Sequence, residues 1–454
     1  MKTKYLLGLS IGMCVMSVQA QNPIIQTHYT ADPAPMVYND TLYLYVGCDE
    51  KDAPENSYLM REYRLYTTTD MVNWTDHGAP LKTSTFAWSA GDASAAQCIP
   101  RNGKFYWYIS SQNRQNPGSS IGVAVGDTPY GPFKDALGHG LVTNDMTTYA
   151  GHSWDDLDPT VYIADDGQAW LYWGNGVCYR AKLKEDMVSL DGEIEAIDRL
   201  DSIAFSGGFT EAPWLYKRGD WYYLIYAAGF PESIHYSMSS SAGGKWQAKG
   251  VVMPLERGSN TNHPGIVDYK GHSYFFYHND ALPGGHSYCR SVCVEEFRYT
   301  PNGEIPEMHM TDAGITEAVG RLNPYIRTEA ETIAWSEGVT TRTDAVRGVY
   351  VTDVHHGDYI KVREVDFGAK GASLFTACAS SRYFGGQIEL RIDGLEGEVL
   401  GTLDIPYTGE WENWQEFKTQ VKSVTGIHDL YLVFKGKQPH ALFNLDWWRF
   451  DSGL

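Results

Sequence analysis

Residues 32–45 read "DPAPMVYNDTLYLY", and the first of them decides the fold. Strands disfavour aspartate, and taking an unpaired carboxylate out of water costs several kcal/mol. Asp32 nevertheless opens an apolar, aromatic strand. The phrase recurs as "AAQCIPRNGKFYWY" from Ala95, "DPTVYIADDGQAWLYW" from Asp158, "EAPWLYKRGDWYYLIY" from Glu211 and "HPGIVDYKGHSYFFYH" from His263. Each copy has an unusual opening residue, an apolar stretch, a polar turn and a second aromatic strand. Asn39-Asp40, Asn102-Gly103, Asp166-Gly167, Gly219-Asp220 and Lys270-Gly271 sit where hairpin turns belong. The openings are 63, 63, 53 and 52 residues apart. That period holds four antiparallel strands, and no long helical periodicity intervenes.

Five repeats of this kind predict a five-bladed β-propeller over residues 21–322. The first strand of each blade lines the central channel, so Asp32, Ala95, Asp158, Glu211 and His263 should face one another. Any single Asp-Pro reads as a turn opener. Three acids at repeat-equivalent positions, each followed by Pro or Ala rather than a cation, point to catalysis.

Glycoside hydrolysis needs a carboxylic acid to protonate the leaving oxygen and a carboxylate to act on the anomeric carbon, about 6.5–9.5 Å apart if a water attacks. The acid must keep its proton near neutral pH, through burial and neighbouring like charge. Glutamate has the longer side chain and the higher reference pKa, so Glu211 is the expected acid. Phe209 and Trp214 flank it and should lower the local dielectric, and Phe209 is also an expected sugar contact. Asp158, one blade away, is the expected tuner and Asp32 the base. Trp88, Trp154 and Trp173 either stack on sugar or pack in the core.

Residues 1–20 read as a cleavable secretory signal, with Lys2 and Lys4 before an apolar run and small residues at Val18-Gln19-Ala20. The run is shorter than the roughly 20 residues a membrane span needs. Without it the chain keeps 34 basic against 56 acidic residues, a net of −22, which disfavours nucleic acid and anionic membranes as partners and allows a neutral polysaccharide. Secretion or export to the periplasm is expected, with a monomer as the default. The six remaining cysteines form no CxxC pair, so zinc is not expected; a disulfide is not readable from their spacing.

Three stretches, "ADPAPMVYNDTLYLY", "DDLDPTVYIADDGQAWLYWG" and "GGFTEAPWLYKRGDWYYLIYA", resemble the signature segments of glycoside hydrolase family 43. The resemblance spans roughly residues 22–322. It implies a five-bladed propeller that hydrolyses furanosides or xylosides with inversion and needs no catalytic cofactor. Carried over by position, Asp32 is the general base, Asp158 the pKa modulator and Glu211 the general acid. Within "SYCRSVCVEEF" (287–297), Arg290 resembles a family arginine that holds the carboxylates and sugar; a surface ion pair is the other reading. Cys289 stands where a second basic residue is expected. His263 resembles an axial histidine that can hold an ion through water, or it is a hydrogen-bonded core residue.

From residue 323 to 454 the repeat stops and short strands alternate with turns, the pattern of a β-sandwich. "RTEAET", "GDYIKVREVDFG", "TGEWENWQEF" and "FNLDWWRF" resemble carbohydrate-binding module family 6, a jelly roll. That resemblance implies that Trp411 stacks a sugar, that Asn444 hydrogen-bonds it, and that Glu329, Glu331 and Asp446 hold a structural calcium. The aromatic expected before "GDY" is absent, so the second stacking face is either missing or supplied elsewhere, with Tyr350 as a candidate. The order of the two parts resembles that of arabinoxylan arabinofuranohydrolases, implying removal of α-L-arabinofuranosyl branches from a plant cell-wall polysaccharide. A β-xylosidase shares the fold and the acids, and a non-catalytic glycan-binding protein shares the fold.

Overall fold

The computed structural model describes residues 21–54, 56–437 and 439–452, so the expected leader over 1–20 lies outside it. Among the described residues the chain is all-β; its one helical element is the 3₁₀ turn Thr83–Thr85. Five antiparallel sheets follow one another in sequence. They begin with the strands Thr30–Tyr38, Ser89–Arg101, Thr160–Ile163, Glu211–Arg218 and Gly265–Tyr269. The second strand of each follows through the turn anticipated from sequence, and positive φ at Asn39, Asp40, Asn102, Gly103, Gly167, Gly219, Lys270 and Gly271 fits the hairpin type.

Strand alternation explains how the sheets pack. In Thr41–Asp49, Leu42, Leu44 and Val46 enter one apolar cluster while Tyr43 and Tyr45 enter another. Trp221–Ala228 divides the same way, with Tyr223 and Ile225 on one side and Tyr222, Leu224 and Tyr226 on the other. Period-2 side chains on both faces require a sheet covered on both faces. The first sheet shares one cluster with the second and another with the fifth; the third shares its two with the second and fourth. Opening strands of sequence neighbours touch, and Gly265–Tyr269 also touches Thr30–Tyr38.

The fifth sheet has three strands where four were expected. The N-terminal segment covers its outer edge instead: Ile24 N–H donates to Val292 O at 2.9 Å, and Thr30 N–H to Arg290 O at 2.9 Å. Asn22 completes the edge, accepting the Val294 N–H at 3.0 Å.

Two further sheets enclose a separate apolar core that includes Phe375, Leu432, Trp448 and Phe450. One contains Thr340–Asp344, Gly348–Thr352, Asn444–Ser452, Ala372–Ser380 and Gln415–Val424. The other contains Trp335–Glu337, Tyr359–Asp366, Ile427–Lys435, Gly386–Ile392 and Val399–Ile405. The junction with the preceding sheets is tight. Thr332–Ile333 pairs with Trp74–Asp76 of the first sheet, and Arg363 donates to Ile315 O at 3.0 Å and Thr316 O at 2.7 Å. At its centre Asp76 accepts from Arg64 at 2.8 Å and from Thr341 Oγ1 at 2.6 Å. All six described cysteines are free and buried.

Burial opposes ionisation of Asp76, yet Arg64, His28 and Thr341 outweigh it and hold the carboxyl below its ordinary range. Its stabilising contribution is therefore present above the ordinary carboxylate pKa and is lost as pH falls through the depressed one. Asp76→Ala leaves the buried Arg64 guanidinium with Glu62 as its remaining carboxylate partner and should cost roughly 1–3 kcal/mol. A chemical-denaturation midpoint that does not move would contradict that account.

Candidate functional site

Asp32 and Asp158 share one backbone device. Both adopt the left-handed region, at φ 55 and 59, immediately before a proline. Proline disfavours the right-handed helical conformation in the residue before it, and aspartate tolerates the left-handed one better than most residues. At Asp32 the result is a bulge, with pairing shifted between Ala31 and Ala34. Bulges re-aim side chains and cluster at active sites. This is why an acid can open an apolar strand: its side chain leaves the pleat for a cavity.

The fourth repeat differs in register. There the left-handed residue before proline is Ala212, at φ 57, and the bulge lies between Glu211 and Trp214. Glu211 thus stands one position earlier than the aspartates, and the strict equivalence read from sequence is off by one residue. All three acids still line one cavity of about 380 Å³ with His263, Arg290, Tyr58, Asn175, Trp154, Phe230 and Glu232 among its walls.

Arg290 fixes Asp32. It donates to Asp32 Oδ1 at 2.9 Å and, through two nitrogens, to Asp49 at 2.9 Å each. Its backbone N–H also donates to Asp49 at 2.8 Å. Arg290 is therefore a buried site residue and not a surface ion pair. Burial raises the Asp32 carboxyl to about 6 against the pull of Arg290.

Asp158 accepts the Ala212 N–H at 3.2 Å. Burial, Glu211 and Asp32 push it well up. Glu211 accepts from the Asn175 amide and is raised by burial, with hydrogen bonds from Asn175 and Glu232 moderating the rise. Glu232, also buried, is raised by desolvation and then by Glu211.

His263 lies between the aspartates, its Nδ1 3.9 Å from Asp32 Oδ1 and 4.0 Å from Asp158 Oδ2. Burial and then Arg290 lower it to about 3, so it is a neutral core histidine. Among the described residues no group of three or more His, Cys, Asp or Glu is arranged to hold a metal ion, here or elsewhere.

Several expected sugar contacts fall outside the cavity. Trp88 is wholly buried against Phe86 and the Gly122 backbone, and cannot stack on a ligand. Phe209 packs on Phe205 and Tyr226 in the core between the third and fourth sheets. Trp173 is also buried, donating to Asp156 at 2.8 Å. Trp154 does reach the cavity: it is 53% exposed and stacks on His152. The exposed Phe230, which also lines the cavity, was missed, because it belongs to a turn outside the repeated phrase. Asp49, Asn175 and Glu232 were missed for the same reason. The only sequence signal for Asp49 is an acid at the end of a buried strand.

In the C-terminal part Trp411 meets Tyr383 edge-on, with ring centroids 5.7 Å apart, and Tyr383 stacks on His440 at 4.9 Å. Tyr350 instead packs against Trp414, and the aromatic beside Trp411 is Tyr383. Asn444 is buried, its side-chain oxygen accepting from Thr352 at 2.7 Å.

Glu329, Glu331 and Asp446 do not assemble the expected calcium cage. Arg327 grips Glu329 with two bonds of 2.7 Å, and Arg347 donates to Asp446 at 2.8 Å, so guanidinium groups supply the neutralising charge. Glu331 Oε2 and Asp446 Oδ1 remain buried without a hydrogen-bond partner.

Comparison with known proteins bears on the whole chain. Residues 20–305 match the glycosyl hydrolases family 43, and residues 329–452 match the carbohydrate binding module (family 6). An arabinoxylan arabinofuranohydrolase of Bacillus subtilis is 32% identical, over 95% of this chain and 92% of its own length. Another, from Paenibacillus polymyxa, is 33% identical over 94% of this chain and 74% of its own. A solved family 43 arabinoxylan arabinofuranohydrolase from Bacillus subtilis, in complex with cellotetraose, superposes with a TM-score of 0.81 at 31% identity, covering 95% of this chain and 98% of that one.

Arg290 is the cation that keeps Asp32 from rising further. In Arg290→Gln, carboxyl NMR should show Asp32 titrating about one unit or more above its present value of about 6. An unchanged titration would show that Arg290 does not set the charge of Asp32.

Proposed function

This chain belongs to glycosyl hydrolase family 43, and from that premise we propose that it is an exo-acting, inverting α-L-arabinofuranosidase that removes arabinofuranosyl branches from arabinoxylan. The observation that carries the reading is the single cavity lined by Asp32, Asp158 and Glu211, at about 380 Å³ small for a ligand pocket. A cavity that small suits removal of a single branch sugar. The two arabinofuranohydrolase relatives, aligned over nearly the full chain, support the substrate.

The roles follow from environment. Glu211 is the general acid: burial raises its carboxyl, and a protonated carboxyl can give its proton to the glycosidic oxygen as the bond breaks. Asp32 is the general base. Arg290 keeps it ionised above about pH 6, where it can accept a proton from the attacking water. Asp158 accepts the Ala212 N–H and so holds the strand that carries the acid. Trp154 and Phe230, both exposed and both lining the cavity, offer apolar faces for the polymer.

We also propose that the five opening strands ring an axis as a five-bladed propeller over residues 21–322, supported by the contact of the first strand with the fifth. Residues 323–454 form a sandwich module whose sugar contacts are Trp411, Tyr383 and Asn444.

Incubation with arabinoxylan should release arabinose, whereas xylose as the main product would favour a β-xylosidase. Glu211→Gln should lower kcat on arabinoxylan by about 10²–10⁴-fold, with much less loss on an aryl arabinofuranoside whose leaving group needs no proton. Proton NMR of early product should show the inverted anomer; a retained one would replace water attack with a covalent intermediate.

A further inference from the structure

We propose that Glu232 is a positioning residue for Glu211: the two carboxyl groups share one proton, which the pair keeps available to the acid. The inference rests on the reading of Glu211 as general acid, and goes beyond it by assigning the group that governs its charge.

Glu232 lies in the turn after Trp221–Ala228, outside every repeated phrase, yet it is 2% exposed and lines the same cavity as Glu211. The turn pins it in place. Its backbone N–H donates to Asn260 O at 3.0 Å, and its Oε2 accepts the Asn262 N–H at 2.7 Å. Its other oxygen, Oε1, is buried and receives no bond from any amide, hydroxyl or cation among the described residues. Glu211 lines the same cavity, and the two carboxyl groups act on each other: burial, and then Glu211, push Glu232 well up.

A buried carboxylate oxygen with no donor is costly, and two carboxylates in contact cannot both stay ionised. A proton shared between them answers both problems. The charged and titratable groups around the pair are Asp158, Asp32, Arg290, His263 and Tyr58. Arg290 is bonded to Asp32 and Asp49 and acts on Glu211 only through space, and His263 is neutral, so among the described residues no cation is bonded to either glutamate.

In the reaction the shared proton passes from Glu211 to the glycosidic oxygen, which keeps the bonding electrons as the C–O bond breaks. Water adds to the anomeric carbon and loses a proton to Asp32. Two facing carboxylates remain, and their repulsion drives reprotonation from solvent while Asp32 gives up its proton.

The test compares kcat/KM against pH for the wild-type enzyme, Glu232→Gln and Glu232→Asp on arabinoxylan, with thermal melts. Glutamine keeps the shape and removes the like charge, so the alkaline limb should move to lower pH by about one unit or more. Aspartate keeps the charge at shorter reach, and its limb should fall between the two. An alkaline limb that stays put in Glu232→Gln, at wild-type melting temperature, overturns the inference. Should glutamine prevent folding, the aspartate variant decides in its place: a limb moved to lower pH supports the shared proton, and one left at the wild-type position overturns it. If instead Glu211→Gln keeps full activity on arabinoxylan, it is the acid assignment that fails, a result recognisably different from an unmoved limb beside an inactive Glu211→Gln.

Discussion

Asp32, Asp158 and Glu232 are withdrawn from water around one cavity that the partly exposed Glu211 also lines, and Arg290 is the only cation lining it among the described residues. Two unit charges 4 Å apart at an effective dielectric of 20 interact by roughly 4 kcal/mol. Four such groups cannot all be ionised there. The site must therefore hold protons, and the positions of Arg290 and of the hydrogen-bond donors decide which group goes without. Arg290 stands on Asp32, giving a base; Glu211 and Glu232 face each other without a cation, giving an acid. The same crowding that costs stability produces two carboxyl groups of opposite function.

The scaffold makes that crowding tolerable. Each sheet is clamped between apolar clusters on both faces, so the strand ends that carry the acids are held by cores rather than by their own interactions. The left-handed turns before Pro33, Pro159 and Pro213 then direct the chain at the cavity. Strain of about 1–2 kcal/mol at a non-glycine left-handed residue such as Ala212 is small against that packing.

Much of this was legible in the chain. Five aromatic hairpins with polar turns announced repeated sheets, and acids at their openings announced a shared site. What could not be read were groups with no periodic position. Asp49, Asn175 and Glu232 come from strand ends and turns, and their significance lies in partners more than thirty residues away or on other sheets. The register slip at Glu211 was invisible because Asp-Pro and Glu-Ala-Pro look alike until the backbone shows which residue bends. Trp88, Trp173 and Phe209 misled for the opposite reason: beside a site in sequence, an aromatic fills the core between sheets as readily as it faces a ligand. In the sandwich, the arginines at 327 and 347 took carboxylates that sequence had reserved for calcium.

The central claim is that this cavity retains a proton on its glutamates near neutral pH. Carboxyl-carbon NMR of glutamate-labelled protein, titrated without substrate, addresses it directly. Two coupled glutamate signals, assigned through the Glu211 and Glu232 variants and still incompletely ionised at neutral pH, are what the account predicts. Complete ionisation of every glutamate in the ordinary carboxylate range would contradict it.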